Sequence, residues 1–285
     1  MGDTRTEWLP PVPPGAPYAP PPRPDPAPEP AARRGLGALL LAVVAIAAKG
    51  KALLLLLPKI KLLTTSGSML VSIGAYTLIW GWQFAVGFVL LLFVHEMGHV
   101  IQLRHEGVKA SAPLFIPFLG AVVWAKSLGG NALAEARVGL AGPILGSLGA
   151  LACLPLAAAT GNNLFQALAF TGFFLNLFNL APVLPLDGGR AMAAMAPWMW
   201  IVGLGVMIGA AFAFPNPIII LILLFAVMET WRRWKQRREG SEETRTYYKV
   251  APKHRLMVAA VYVGLIALLA LGMEATHLER TFSDA

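Results

Sequence analysis

His95 and His99 stand four residues apart, with Glu96 beside the first, in the order His95-Glu96-Met97-Gly98-His99. On a helix, residues four apart lie on one face, so both imidazoles can reach a single metal ion. The neighbouring glutamate is placed to take a proton from water at that ion, the division of labour that zinc-dependent hydrolysis needs. From Leu62 to Val94 the chain carries no Asp, Glu, Lys or Arg. Three ionisable groups therefore follow directly on a long apolar run. Such groups are expensive at membrane depth and mark function there, so the pattern implies hydrolytic metal chemistry within a bilayer.

A catalytic zinc site takes three protein ligands and keeps one position open. Two residues compete for the third place. His105 follows His95 by ten positions, as in H-E-x-x-H-x-x-G-x-x-H, but an unbroken helix puts it about 15 Å along the axis. The helix-breaking glycine of that pattern is here Gln102, and Gly107 comes too late. His105 reads better as a basic residue at the membrane surface. Asp187 is the only acidic residue between Glu135 and Glu229, and the stretch from Val138 to Leu186 before it is uncharged. Pro182 and Pro185 end the preceding helix, and Gly188 and Gly189 admit close backbone approach. An aspartate after a proline turn is also a common helix cap. The single cysteine, Cys153, allows neither an intramolecular disulfide nor a Cys-based zinc site.

The elements that must hold these groups are apolar helices. Of 285 residues 56% are hydrophobic and 13% charged, against about 25% charge in a soluble domain. The expected fold is an all-α polytopic membrane protein with about seven transmembrane helices. It also has an N-terminal interfacial or re-entrant segment and a short strand-like loop near the site. The spans fall at Ser66–Trp82, Phe84–Arg104, Ala132–Ala159, Asn163–Leu180, Pro197–Phe214, Pro217–Trp231 and Leu256–Met273, near the ~20 residues a bilayer requires. The segment from Lys109 to Lys126 carries β-branched and aromatic residues, two prolines and Gly120, and reads as two short strands around a turn. Residues 1–34 hold 12 of the 23 prolines and form a disordered or polyproline tail, with docking to a proline-binding partner as the sharper reading. Residues 35–61 form the interfacial or re-entrant segment, its lysines reaching headgroups. Residues 62–231 are the catalytic membrane core, 232–255 a basic cytoplasmic loop, and 256–285 a last transmembrane helix and tail.

The net charge of +8 does not point to nucleic acid, because Lys and Arg cluster in short loops beside the spans. Lys59, Lys61, Arg104, Lys109, Arg232–Arg238, Lys249, Lys253 and Arg255 alternate onto one side, which the positive-inside rule makes cytoplasmic. Both halves of the metal site then lie toward the cytoplasm. Glu135 and Arg137 read as a surface pair at a span start. Trp80, Trp82, Trp198, Trp200 and Trp231 read as interfacial aromatics. Ala141-Gly142-Pro143, in mid-span, is either a packing kink or a lining of the site.

At these motifs the chain resembles the site-2 protease family of intramembrane zinc metalloproteases. That family pairs H-E-x-x-H on one transmembrane helix with N-x-x-P-x-x-x-x-D-G on another, matched here at His95, Glu96, His99, Asn179, Pro182, Asp187 and Gly188. Leu184 replaces a proline common in its members. The resemblance covers roughly residues 66–231. It implies one Zn2+ per chain held by His95, His99 and Asp187, and Glu96 as general acid and base. It further implies that Asn179 holds substrate or the oxyanion, and that the substrates are transmembrane segments cut near the cytosolic face. The competing classes are a metal transporter or sensor, which needs no base beside the histidines, and an inactive scaffold for transmembrane partners, against which Glu96 argues.

Overall fold

A computed structural model describes residues 63–125 and 130–277. The proline-rich tail and the 35–61 segment lie outside the described residues. Helix α1 covers residues 63–80 and ends at Gly81, whose φ of 80° lies in the left-handed region. Helix α2, Trp82–His105, carries the two histidines at its centre of burial, with His95, Gly98 and His99 all buried. A hairpin follows: β1, Leu114–Ile116, pairs antiparallel with β2, Gly120–Val122, in the register Leu114 opposite Val122. The expected strand pair is therefore present. Its turn is centred on Phe118, with φ 67°, and Gly120 opens β2.

The hairpin is fixed to α1 and α2. Thr65 donates to the Pro113 carbonyl at 2.9 Å, the Phe115 amide to Ser68 Oγ at 3.1 Å, and the Phe118 amide to the Tyr76 hydroxyl at 3.0 Å. Phe115 is buried and packs near Phe93 of α2, ring centroids 6.4 Å apart. Phe93 stands two positions before His95, so the hairpin lies beside the histidine-bearing helix.

Helix α3, Ala132–Thr160, starts at Asn131, whose side chain accepts from the Ala134 amide at 2.9 Å. It crosses α2 at small residues. A Cβ at Gly98 would meet the Ala141 backbone, and one at Gly142 would meet both imidazoles. Small residues at such crossings let backbones approach in apolar surroundings, where packing rather than water exclusion holds helices together. Helix α4, Asn163–Asn179, leads to a turn with a cis Leu184–Pro185 bond, then to the short helix α5, Asp187–Met195. Helices α6, Met199–Ala213, and α7, Pro217–Glu239, form the next pair, joined at Asn216, which caps α7 through the Ile218 amide at 2.8 Å. Helices α8, Glu242–Tyr247, and α9, Pro252–Thr276, complete the described chain.

Every expected span is helical, but length and apolarity qualify only α2, α3 and α9 for crossing a membrane among the described residues. Helix α4 has 17 residues and α6 has 15, about 26 and 23 Å at 1.5 Å per residue, less than the ~30 Å hydrocarbon core. Helix α7 runs on without a break through Arg232, Arg233, Lys235, Arg237 and Arg238. The segment expected as a basic loop is thus largely helical, because Lys, Arg, Gln and Glu are good helix formers.

Candidate metal centre

Helix geometry brings His95 and His99 to one face of α2, and their Nε2 atoms lie 3.2 Å apart. Asp187 Oδ2 is 3.2 Å from each of them. All three side chains are buried. Tetrahedral bonds of about 2.0–2.1 Å from His and Asp donors separate neighbouring donors by about 3.3 Å, so this spacing fits one zinc-sized cation. His105 is exposed and takes no part in the cluster.

The ring hydrogens agree with that fit. His99 Nδ1 lies 2.8 Å from the Val138 carbonyl, which can only accept, so Nδ1 carries the proton and Nε2 presents its lone pair. His95 Nδ1 lies 2.8 Å from Asn176 Oδ1. The Asn176 amide nitrogen donates to the Gly172 carbonyl at 2.7 Å, which orients the amide and leaves Oδ1 as the acceptor. His95 therefore also turns an unprotonated Nε2 to the cluster. Two lone pairs and a carboxylate converging at 3.2 Å repel one another unless a cation lies among them. Outer partners of this kind set the tautomer and ring orientation of metal-binding histidines.

Asp187 is carried in by local backbone packing. It opens α5, and Gly188 and Gly189 press against the backbone of Leu180, Ala181, Val183 and Leu184, where a Cβ would overlap. Only glycine lets the helix fold back this closely onto its own approach turn. Arg190 Nη1 stands 4.0 Å from Asp187 Oδ1. Glu96 lies within electrostatic range of His95, His99, Asp187 and Arg190, and no hydrogen bond from the described residues engages its carboxylate.

Asn179 is not drawn into the cluster: its amide donates to the Leu175 carbonyl of its own helix at 3.0 Å. Asn176, one turn earlier, makes the contact with His95. The visible signal was a polar side chain inside an apolar helix, in the sequence Asn176-Leu-Phe-Asn179, but the helix phase against α2 decided which asparagine faces inward. Gly142 takes the site-lining role, since a Cβ there would meet His95 Nε2 at 2.9 Å.

Two expectations are corrected. Glu135 is not in a surface pair with Arg137. It is fully buried and forks with Arg233, while Arg137 pairs with Glu106 at 3.5 Å. Helix α7 packs a cation against the start of α3, and a buried carboxylate requires that partner. Trp200 is not interfacial but fully buried, its indole nitrogen donating to the Gly189 carbonyl at 2.7 Å.

Residues 83–162 match the family described as peptidase family M50. The chain is 31% identical over 119 residues to "Zinc metalloprotease MJ0392" of Methanocaldococcus jannaschii, covering 39% of this chain and 34% of the relative. It is 30% identical over 144 residues to "Putative zinc metalloprotease Rip3" of Mycobacterium tuberculosis, covering 45% of this chain and 35% of the relative. The chain thus spans about a third of the length of the curated relatives it matches. The matched segment holds both histidines, Glu96 and Gly142, and the fold adds Asp187 from beyond it, so over residues 83–162 the chain is similar to peptidase family M50 and to curated zinc metalloproteases.

Proposed function

We propose that the protein is an intramembrane zinc metalloprotease that hydrolyses peptide bonds in transmembrane segments near the cytosolic face. The observation that carries this reading is the convergence of His95 Nε2, His99 Nε2 and Asp187 Oδ2 at 3.2 Å beside an uncommitted Glu96. His95, His99 and Asp187 would hold the ion. When bound, zinc supplies Lewis acidity, making hydroxide available near neutral pH and polarising the scissile carbonyl. Glu96 accepts the proton from water and passes it to the leaving amine. Asn176 and the Val138 carbonyl keep both imidazoles turned toward the ion. A transporter or sensor would leave Glu96 without a task.

A substrate helix hides its carbonyls in its own hydrogen bonds and must unwind before attack. The β1–β2 hairpin, standing beside α2 through Phe115 and Phe93, offers strand edges to which an unwound stretch can add. The cytoplasmic placement of the site rests on the one-sided clusters of Lys and Arg, taken with the alternation of the seven apolar segments. Exposed apolar side chains such as Leu78, Leu148, Phe212, Phe225 and Leu271 suit a lipid environment, since a water-facing patch of that extent is rare.

Comparative membrane proteomics of cells carrying wild type or Glu96→Gln tests the reading. Single-pass proteins should accumulate uncut in the variant. Identical membrane proteomes, with the protein expressed and zinc-loaded, would reject it.

A further inference from the structure

Arg233 stands on α7, away from the three metal-binding side chains, yet it touches the supports of both halves of the centre. Its guanidinium forks onto Glu135, Nη1 donating to Oε2 at 2.8 Å and Nη2 to Oε1 at 2.6 Å. Glu135 lies on α3 three residues before Val138, whose carbonyl takes the His99 Nδ1 hydrogen. The same guanidinium lies over the Trp200 ring, 5.7 Å from its centroid. Trp200 in turn holds the Gly189 carbonyl, two residues beyond Asp187 on α5. The third guanidinium donor is also used, Nε reaching Glu229 Oε1 at 3.0 Å. Tyr247 of α8 adds its hydroxyl to Glu135 Oε2. Burial and the neighbouring Glu135 carboxylate push that phenol above its ordinary range, so it stays a donor.

A buried ion pair is poor grounds for stability, because an apolar pair of similar volume often serves as well. A fork is different in kind: two parallel bonds fix direction, and a planar guanidinium can present them while also stacking on an aromatic face. A lysine in its place could offer one point charge and no plane. The fork here spans α7 and α3, and the stacked face reaches α6 and, through it, α5. His99 is aimed from α3 and Asp187 is carried by α5, so one side chain ties together the two elements whose spacing sets the donor separations.

We infer that Arg233 is a positioning residue for the metal centre, setting the register of α3 against α5 through Glu135 and Trp200. The inference rests on the metalloprotease reading of that centre. It assigns to the α7 extension, whose basic residues otherwise read only as a solvated helix end, a role in metal affinity and geometry.

The test uses the full chain in detergent or nanodiscs, with two readouts other than proteolysis. Zinc affinity is measured by competition with a chromophoric chelator, and the visible spectrum of the cobalt-loaded protein reports ligand geometry. Arg233→Lys keeps the charge and loses the fork. The pair Glu135→Leu with Arg233→Met replaces the charges by apolar bulk, and covers the case in which a single unpaired charge prevents folding. Both should fold and bind zinc about tenfold or more weakly, the scale on which outer partners act, with shifted cobalt bands. Arg232→Lys, which alters an exposed neighbour bonded to Glu229, should change neither. Wild-type affinity and spectrum in either fork variant overturn the inference while leaving the metalloprotease reading intact. Failure of both to fold also overturns it, since the pair would then serve folding rather than positioning. Absence of zinc binding by wild type would instead remove the reading beneath it.

Discussion

At the scale of single residues the proposed division between ligand, base and outer partner gives separable expectations. Glu96→Gln should lose proteolysis by a factor of about 100 to 10,000, the usual worth of a general base, while elemental analysis still finds zinc; full activity in that variant would sink the mechanism. Asp187→Ala should lose activity and weaken metal binding together. His105→Ala should retain both, its side chain being exposed and outside the cluster; loss of metal from that variant alone would move the third ligand. The two asparagines make a sharper comparison. Asn176→Leu removes the acceptor that holds the His95 Nδ1 hydrogen and should weaken zinc by about 10–100-fold. Asn179→Leu breaks only a bond within its own helix and should leave zinc affinity where it was. Equal effects from the two would mean that α4 presents a different face to α2.

At the scale of elements, the crossing of α2 and α3 is the feature on which the centre depends. Gly142 has the His95 and His99 rings where a Cβ would be, so Gly142→Ala must displace an imidazole or separate the helices. Zinc binding should fall sharply, read by chelator competition. Gly209→Ala is the matched control, because nothing lies within 4 Å of a Cβ built there; helix propensity then favours alanine, and binding should be unchanged. If Gly142→Ala binds zinc as wild type does, the close crossing does not shape the site.

At the scale of the whole molecule, an ion held by His95, His99 and Asp187 would tie α2 to α5. A ligand present at about 1,000 times its dissociation constant stabilises the folded state by about 4 kcal/mol. Stripping zinc with a chelator should therefore lower the melting temperature on the order of 10 °C, with recovery on adding zinc back. An unchanged melting curve means that the metal does not bridge those helices. Sidedness belongs here too. With Cys153 replaced, single cysteines at Gly161, in the turn between α3 and α4, and at Lys235, near the end of α7, should label from opposite faces with an impermeant thiol reagent. Labelling from one face means that the span count between the two halves of the site is wrong.

Residue type and spacing alone singled out the two histidines, the glutamate and the outlying aspartate, because helical periodicity is local and an isolated charge in an apolar stretch stands out; the fold brings the histidines and the aspartate together. The same local signals separated the hairpin at 114–122 from the helices around it. What stayed hidden depends on the rotation of one helix against another. The phase of α4 against α2 selects Asn176 over Asn179, and the reach of Arg233 from α7 to the start of α3 takes Glu135 from the nearby Arg137. The burial of Trp200 follows from where α6 meets α5, although its neighbour Trp198 remains exposed. Sequence carries the chemistry of each side chain and the period of its own element. Packing carries the phase between elements, and a candidate metal centre whose donors come from α2 and α5 is a statement about phase.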